Sequence, residues 1–488
     1  MPVVIDGTTG ISPVTASGTS ASVDGMTVGR GGGEVATNTA VGYLAINATA
    51  TGGNNVAVGY QAATATTTGT SNVSVGNLAF GQNTTGSFNT AVGAGIAGVT
   101  WGALGSNTTG TNNTATGYQA LLSNTTASNN TAVGYQAGYS NTTATRITAV
   151  GMQALYANTT GNHNSGFGYD SLQSNTTGAS NVAVGYQALL SNTTASNNTA
   201  VGYQAGYSFA STGTAPVTAF GYQAAYTINA ADPRITAIGY QALFTNNGGG
   251  TYENTAVGYS AARLTTTGSA LVAIGNESLA ANTTGSSNVG VGYQSLTANT
   301  TGGNNTAVGY RAGYANTTNS NNIYIGYTCG SSHTGAGCIF IGPNAFSGYN
   351  GSNQVAFKTG DGREAFYADI NAGASFRQYS NSSTWATTSD QRVKENIVEI
   401  TNGLEKIVAL RPVTFDYITS KEHNAGFIAQ DFQTVLPDQV KLVKARPEEA
   451  ELVGEDEIYS IQQNLTPYLV KAIQELKAEF DAYKATHP

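Results

Sequence analysis

Charged residues make up only 9% of the 488 positions, against 62 glycines and a formal net charge of -8 at neutral pH. That composition excludes a string of ordinary globular domains over most of the chain, and its sparse acidic balance offers no electrostatic footprint for nucleic acid. No stretch approaches the apolar run of a membrane helix, so no membrane insertion is expected, and two cysteines, Cys329 and Cys338, are too few for a disulfide framework.

Taken in order, the chain opens on M-P-V-V-I-D-G-T-T-G, without a basic region and apolar run that would address it to a secretory or membrane route. Synthesis in a reducing cytoplasm is the expectation. Residues 1–33 are rich in Thr, Ser and Gly with few apolar anchors, and read as an N-terminal attachment arm ordered mainly by a partner.

Residues 34–342 repeat a unit of the form N-T-A-V-G-Y-Q-A-L-x-x-N-T-T-G-x-x, in which glycines such as Gly117, Gly134, Gly151, Gly168, Gly185 and Gly202 recur every 17 positions. A fixed period sustained over 300 residues means a solenoid of like turns. Before each glycine, small Ala alternates with β-branched residues (Thr131, Ala132, Val133), which is strand patterning. The glycine predicts close approach of a neighbouring backbone. Which strand face lines the interior stays open, since both the alanines and the β-branched residues suit a narrow core.

Four before the glycine stands Asn (Asn130, Asn164, Asn181, Asn198), replaced only by apolar residues (Ile147, Val217, Ile235, Leu271, Cys338). Stacked at a strand spacing of about 4.8 Å, these amides are placed to bond along the shaft as a ladder. N-T-T-G and N-T-T-A segments (from Asn124, Asn158, Asn175 and Asn192) read as turns whose Asn and Gly take left-handed angles, and secondarily as glycosylation acceptors. The tyrosines after the glycine (Tyr186, Tyr203, Tyr240) read as flank packing, with carbohydrate stacking as the alternative. Cys329, His333 and Cys338 are spaced too loosely for a convincing metal site, and no metal or cofactor is expected.

This body resembles the repeat shafts of phage tail fibres, where T-V-G-R-G-G-G (27–33 here) opens a run of N-T-A-V-G-Y units. Locally it is also similar to the trimeric β-roll heads of autotransporter adhesins, which implies a parallel β-roll trimer. Residues 343–388 read as a neck, with two short strands turning around Gly360, Asp361 and Gly362.

At T-T-S-D-Q-R-V-K (387–394) the composition changes: the 388 residues upstream of Ser389 carry eight Lys/Arg, and the 100 from it carry eleven. On composition alone, Ser389 with Lys394 five residues on reads as a helix N-cap followed by an exposed lysine. The alternative is a nucleophile and base, which requires a lysine whose pKa burial or nearby charge has lowered. From residue 389 to the end the chain resembles the C-terminal intramolecular chaperones of phage tailspikes and endosialidases, a family of self-cleaving peptidases. The resemblance rests on S-D-Q-R-V-K-E-N-I (389–397), L-R-P-V-T-F-D-Y (410–417), H-N-A-G-F-I-A-Q-D (423–431) and Y-L-V-K-A-I-Q-E-L (468–476).

By position, the resemblance implies that Ser389 attacks the Thr388 carbonyl, that Lys394 is its general base, and that Asp390, Arg392 and Asn396 support the motif. Gln391 stands where relatives usually carry Arg or a similar residue, a departure of little consequence. Near-identical turns can slip by one repeat at little cost, so a folding nucleus at one end would fix the register of three chains. Thr466 as N-cap, Pro467 in the first turn, and Leu465, Leu469, Ala472, Leu476, Phe480 and Tyr483 at steps of four and three predict a helix with a seam for three chains; packing on its own domain is the alternative.

The expected fold is therefore mainly β: a parallel β-solenoid or β-roll shaft, taken as trimeric, then a small α+β chaperone domain (389–488) ending in a long helix. The expected function is a virion tail fibre or tailspike subunit whose chaperone domain drives trimerisation and then releases itself. Its expected partners are further copies of itself, other tail or baseplate proteins at the N-terminus, and a host surface glycan. A trimeric glycan-binding adhesin with a non-cleaving cap is the alternative. Polysaccharide cleavage is disfavoured because the body's acids (Asp170, Asp232, Glu253, Glu277) are scattered rather than paired.

Overall fold

The computed structural model describes residues 5–6, 10–11, 21–23, 26–31, 35–209, 216–229, 232–247, 251–345, 351–360, 364–369, 375–378, 397–418, 421, 423–445, 447–455, 457–461 and 465–487. It divides into two units, 1–383 and 384–488. In the first, the expected β-solenoid is present. Among the described residues, eighteen short strands from Thr39–Val41 to Ile339–Ile341 carry the repeat. Each pairs in parallel with the next, every residue opposite its counterpart one turn on: Val182 faces Thr199, Ala183 faces Ala200 and Val184 faces Val201.

The ladder is closed off at both ends by antiparallel strands. Met26–Gly29 pairs antiparallel with Thr39–Val41. At the other end, Gln354–Lys358 stacks in parallel on Ile339–Ile341, so the ladder runs one strand beyond Gly342 before it reverses into Glu364–Asp369. The hairpin read around Gly360 is thus present, and its first strand also serves as a solenoid rung. Three longer turns between Gly202 and Gly258 add a second small parallel sheet of Ser208–Phe209, Thr227–Ile228 and Thr245–Asn246.

The alanine face lines the interior. Ala115, Ala132, Ala149, Ala183 and Ala200 are fully buried, with Leu121, Leu155, Leu172 and Leu189 filling the rest of each turn. The β-branched face points outward: Val133 and Ile238 are 38% exposed and Val182 37%. A narrow coil leaves room inside for a methyl group on the strand, and the larger side chains form an aliphatic stripe along the outside.

The Asn ladder forms, with a division of labour. Asn181 Oδ1 accepts the backbone N–H of Asn198 (3.0 Å), and Asn181 Nδ2 donates to the Ala195 carbonyl (2.9 Å). At the apolar substitutions the pattern simply skips a rung, since the Ile147 N–H still donates to Asn130 Oδ1.

The N-T-T segments differ from expectation. Their asparagines are a second buried amide ladder: Asn175 Nδ2 donates to Asn158 Oδ1 (2.8 Å) and Asn192 Nδ2 to Asn175 Oδ1 (2.7 Å). Each also donates to the carbonyl three residues on, Asn175 to Gly178 at 2.9 Å. Neither Asn175 nor Gly178 takes the left-handed conformation; Gln187, Leu189 and Asn197 do, at φ of 54°, 50° and 64°. The amide cannot both serve as an interior rung and sit at the corner, so the corners fall on neighbouring residues. Buried amides bonded on both sides each contribute about 1 kcal/mol per bond net, and cost more if orphaned.

Near the last turns the interior widens. Tyr324 and Phe340 take the place of alanine and are fully buried. His333 occupies the second Asn rung, with Nδ1 at 3.0 Å from the Tyr324 hydroxyl and Nε2 at 3.0 Å from the Gly351 carbonyl. Burial lowers the His333 pKa, which keeps the ring neutral, and pushes the Cys329 thiol up to about 12. Cys329 donates to the Phe340 carbonyl at 3.2 Å. Cys329, His333 and Cys338 are thus core parts of the coil, each with a bonding partner there.

The second unit is a small α+β domain. Val413–Asp416 pairs antiparallel with His423–Gly426, and Val440–Lys444 with Glu457–Ile461. Helices cover Gly403–Ala409, Ala429–Val435, Pro447–Val453 and Thr466–Thr486. Leu410, Phe432, Leu436 and Val440 make its core, with Ile461, Leu465 and Tyr468 packed against it. The long helix begins one residue earlier than read: Leu465 is the N-cap, Thr466 is its first residue and caps nothing, and Pro467 follows in the first turn.

Candidate functional site around the start of the C-terminal domain

Thr388, Ser389, Asp390, Arg392, Lys394 and Asn396 lie outside the described residues. What is described is the framework that begins three residues after Lys394, and it shows how the domain fixes the chain there. Lys471 on the long helix donates to Glu399 Oε1 at 2.9 Å. One helical turn on, Glu475 Oε2 accepts the backbone N–H of Leu404 at 2.7 Å. That N–H is one of the orphan donors at the start of the helix Gly403–Ala409, so a carboxylate from another helix performs the capping that Asn402, in a left-handed conformation, does not.

Gly403 makes the contact possible. A Cβ there would lie 2.8 Å from Lys471 Cβ and 2.9 Å from the Ala472 backbone nitrogen. The short helix therefore sits directly against the long one, and Ala472 is buried at the crossing. Two of the six seam positions are spent in this way: Ala472 on the short helix and Leu465 on the domain's core. Leu469, Leu476, Phe480 and Tyr483 remain exposed, at 43%, 54%, 54% and 58%.

The segments quoted for the resemblance hold one another. Arg411 of L-R-P-V-T-F-D-Y pairs with Asp431 of the A-Q-D segment, Nε to Oδ2 at 3.0 Å. His423 Nδ1 lies 2.8 Å from Asp416 Oδ1 across the first hairpin. Sequence reading missed Glu399, Gly403, Lys471 and Glu475 as a group. The signal was there in N-G-L-E (402–405), but Asn-Gly reads as a helix stop or a turn, and only the packing turns it into a start.

Hydrogen bonding from the Leu404 N–H, followed by that from Gly403 and the attraction of Lys471, lowers the Glu475 pKa against a smaller opposing effect of burial. A depressed folded value stabilises the domain above the ordinary 4.5, and the contribution is lost as pH falls through the folded value. Glu475→Gln is accordingly expected to lower the melting temperature of the C-terminal domain by a few degrees at pH 7. The difference should close on acidification below that ordinary value. A gap unchanged at low pH, followed by thermal circular dichroism, would mean the carboxylate is not the cap.

Residues 389–441 match the family model described as chaperone of endosialidase. No curated protein matches the chain, and no solved structure does. A repeat β-solenoid followed by this domain defines a shaft protein that carries its own chaperone. The matched segment is similar to the endosialidase-chaperone family, and a repeat β-solenoid ahead of it is the make-up of a tail-fibre-like protein. Among the described residues no helix is long and apolar enough to cross a membrane.

Proposed function

We propose that this chain is a structural subunit of a phage tail fibre or tailspike, and that it assembles as a homotrimer on its C-terminal domain and then loses that domain by self-cleavage between Thr388 and Ser389. The single observation that carries the reading is where the family match begins: at Ser389, the position at which the composition also changes. In the reaction, the Ser389 Oγ attacks the Thr388 carbonyl carbon as neutral Lys394 takes its proton. The C–N bond breaks and the Ser389 nitrogen leaves as an amine carrying a proton. Water then hydrolyses the resulting ester, giving a Thr388 carboxylate and restoring the Ser389 hydroxyl. Asp390, Arg392 and Asn396 support the loop. The chemistry runs once and needs no external substrate.

Trimerisation is supported by two unpartnered apolar surfaces. One is the aliphatic stripe along the shaft; the other is the exposed Leu469, Leu476, Phe480 and Tyr483 edge of the long helix. The N-terminal arm then docks on other tail or baseplate proteins, which places the product in the virion. Expression of residues 1–388 without the C-terminal domain tests the chaperone role. The full chain is expected to yield trimers of the shaft by light scattering, and the truncated one mostly aggregate or monomer. Equal yields of trimer would remove the need for the domain.

A further inference from the structure

Three rows of side chains run along one flank of the shaft. One residue after the glycine stand stacked tyrosines, unbroken from Tyr169 to Tyr259 at ring spacings of 4.9 to 5.2 Å. Two after it, glutamines join amide to amide, Gln204 Nε2 to Gln187 Oε1 at 3.0 Å and Gln241 to Gln223 at 2.9 Å. Five after it runs a second ring row, with Tyr207 on Tyr226 and Tyr226 on Phe244 at 5.0 and 4.9 Å.

All three rows fail in the same few turns. Asn276 interrupts the tyrosines, Ser260 and Glu277 interrupt the glutamines, and Arg263, Ala280 and Thr297 stand where rings are due until Tyr314. The missing side chains leave a notch of about 510 Å³ bounded by Tyr240, Tyr259, Arg263, Glu277, Gln294 and Tyr314. Its polar groups are pinned from behind. Arg263 Nε donates to Gln241 Oε1 at 3.1 Å while the guanidinium lies over the Phe244 ring. Glu277 Oε2 accepts from Gln294 Nε2 at 2.7 Å, and Gln294 Oε1 from Arg311 Nε at 2.8 Å.

We propose that this notch is a saccharide subsite that takes a neutral hexose or N-acetylhexosamine unit of a surface polysaccharide. The volume suits one or two sugar rings. Tyrosine rings on the walls offer apolar faces to sugar C–H groups, and among the described residues no ring stacks on the second face of Tyr259. The fixed guanidinium donates to, and the fixed carboxylate accepts from, the hydroxyls around one ring; one positive and one negative group together favour no net charge on the ligand. The inference rests on the shaft alone and stands whether or not the chain cuts itself.

The test is an array of short neutral gluco-, galacto-, manno- and N-acetylglucosamine oligosaccharides, with acidic oligosaccharides alongside, probed with the full-length protein. Wild type is expected to retain at least one neutral class. Ala280→Tyr with Thr297→Tyr puts back the rings that neighbouring turns carry, and should cut retention about tenfold or more. Glu277→Gln restores the amide of the neighbouring turns and should weaken binding without moving the melting temperature. Retention of no neutral sugar, of acidic sugars only, or equal retention by the ring-filled variant would overturn the proposal. So would a ring-filled variant that changes the mass of the assembly, because the notch would then be covered by a second copy.

Discussion

Replacing Ser389 with alanine is expected to leave the expressed chain at its full 49.8 kDa, where wild type should run as two pieces of 388 and 100 residues. In the proposed mechanism, removing the hydroxyl abolishes the acyl transfer and leaves every packing contact of the described domain in place. Cleavage should slow by at least about a thousandfold. Lys394→Ala should do the same, and Lys394→Arg should not rescue it, because a guanidinium is not deprotonated in a protein and cannot act as the base. Intact mass spectrometry reads the presence and the position of the cut together. Full cleavage in both variants, or a cut elsewhere in the chain, would remove Ser389 and Lys394 from the mechanism. The uncut variant should still assemble and, after denaturation, recover shaft structure that the cut wild type does not regain, since its folding template has gone.

Most of the shaft was legible because a repeat states its rule many times. The period, the strand, the glycine and the first Asn ladder all follow from positions that recur. Two features were not legible, for different reasons. Val184 and Ala183 are both reasonable interior residues in a single chain; the decision to bury Ala183 and expose Val184 depends on how narrow the coil is. The N-T-T asparagines carry two meanings at once. Asn175 belongs to a turn by composition and to a buried ladder by position, and no local rule separates them.

The site was legible in a narrower sense. Ser389 and Lys394 taken alone fit a helix cap as well as a catalytic pair, so their assignment comes from resemblance alone; the family match over 389–441 spans both positions and assigns neither a role. The framework behind them was hidden because its partners are far apart in sequence. Leu404 and Glu475 are joined by a single bond across the domain, and the glycine that allows it looks like a terminator until the long helix is laid against it.

A methyl group added at Gly185 should be far more damaging than one added at Gly178, although the space around both is equally tight. A Cβ at Gly185 would lie 2.4 Å from the Gly202 carbonyl oxygen, and one at Gly178 would lie 2.3 Å from that of Ala195. The chain itself shows that the second kind of contact can relax, because Ala127, Ala144 and Ala195 stand at the position of Gly178 in other turns. The difference is backbone. Gly185 has φ of 130°, a conformation L side chains rarely adopt, and the equivalent residue is glycine in every turn from Gly42 to Gly342. Strain of about 1–3 kcal/mol, with the uncompensated contact added, falls on a structure whose turns are held only by their two neighbours. Gly185→Ala should therefore split the stack into two segments that melt separately and well below wild type. Gly178→Ala should stay within about 1 kcal/mol of it, with a small entropic gain from the unfolded chain. Scanning calorimetry of the two shafts decides the matter: matched melting curves would show that crowding, not the backbone angle, is what keeps the glycine at the end of each strand.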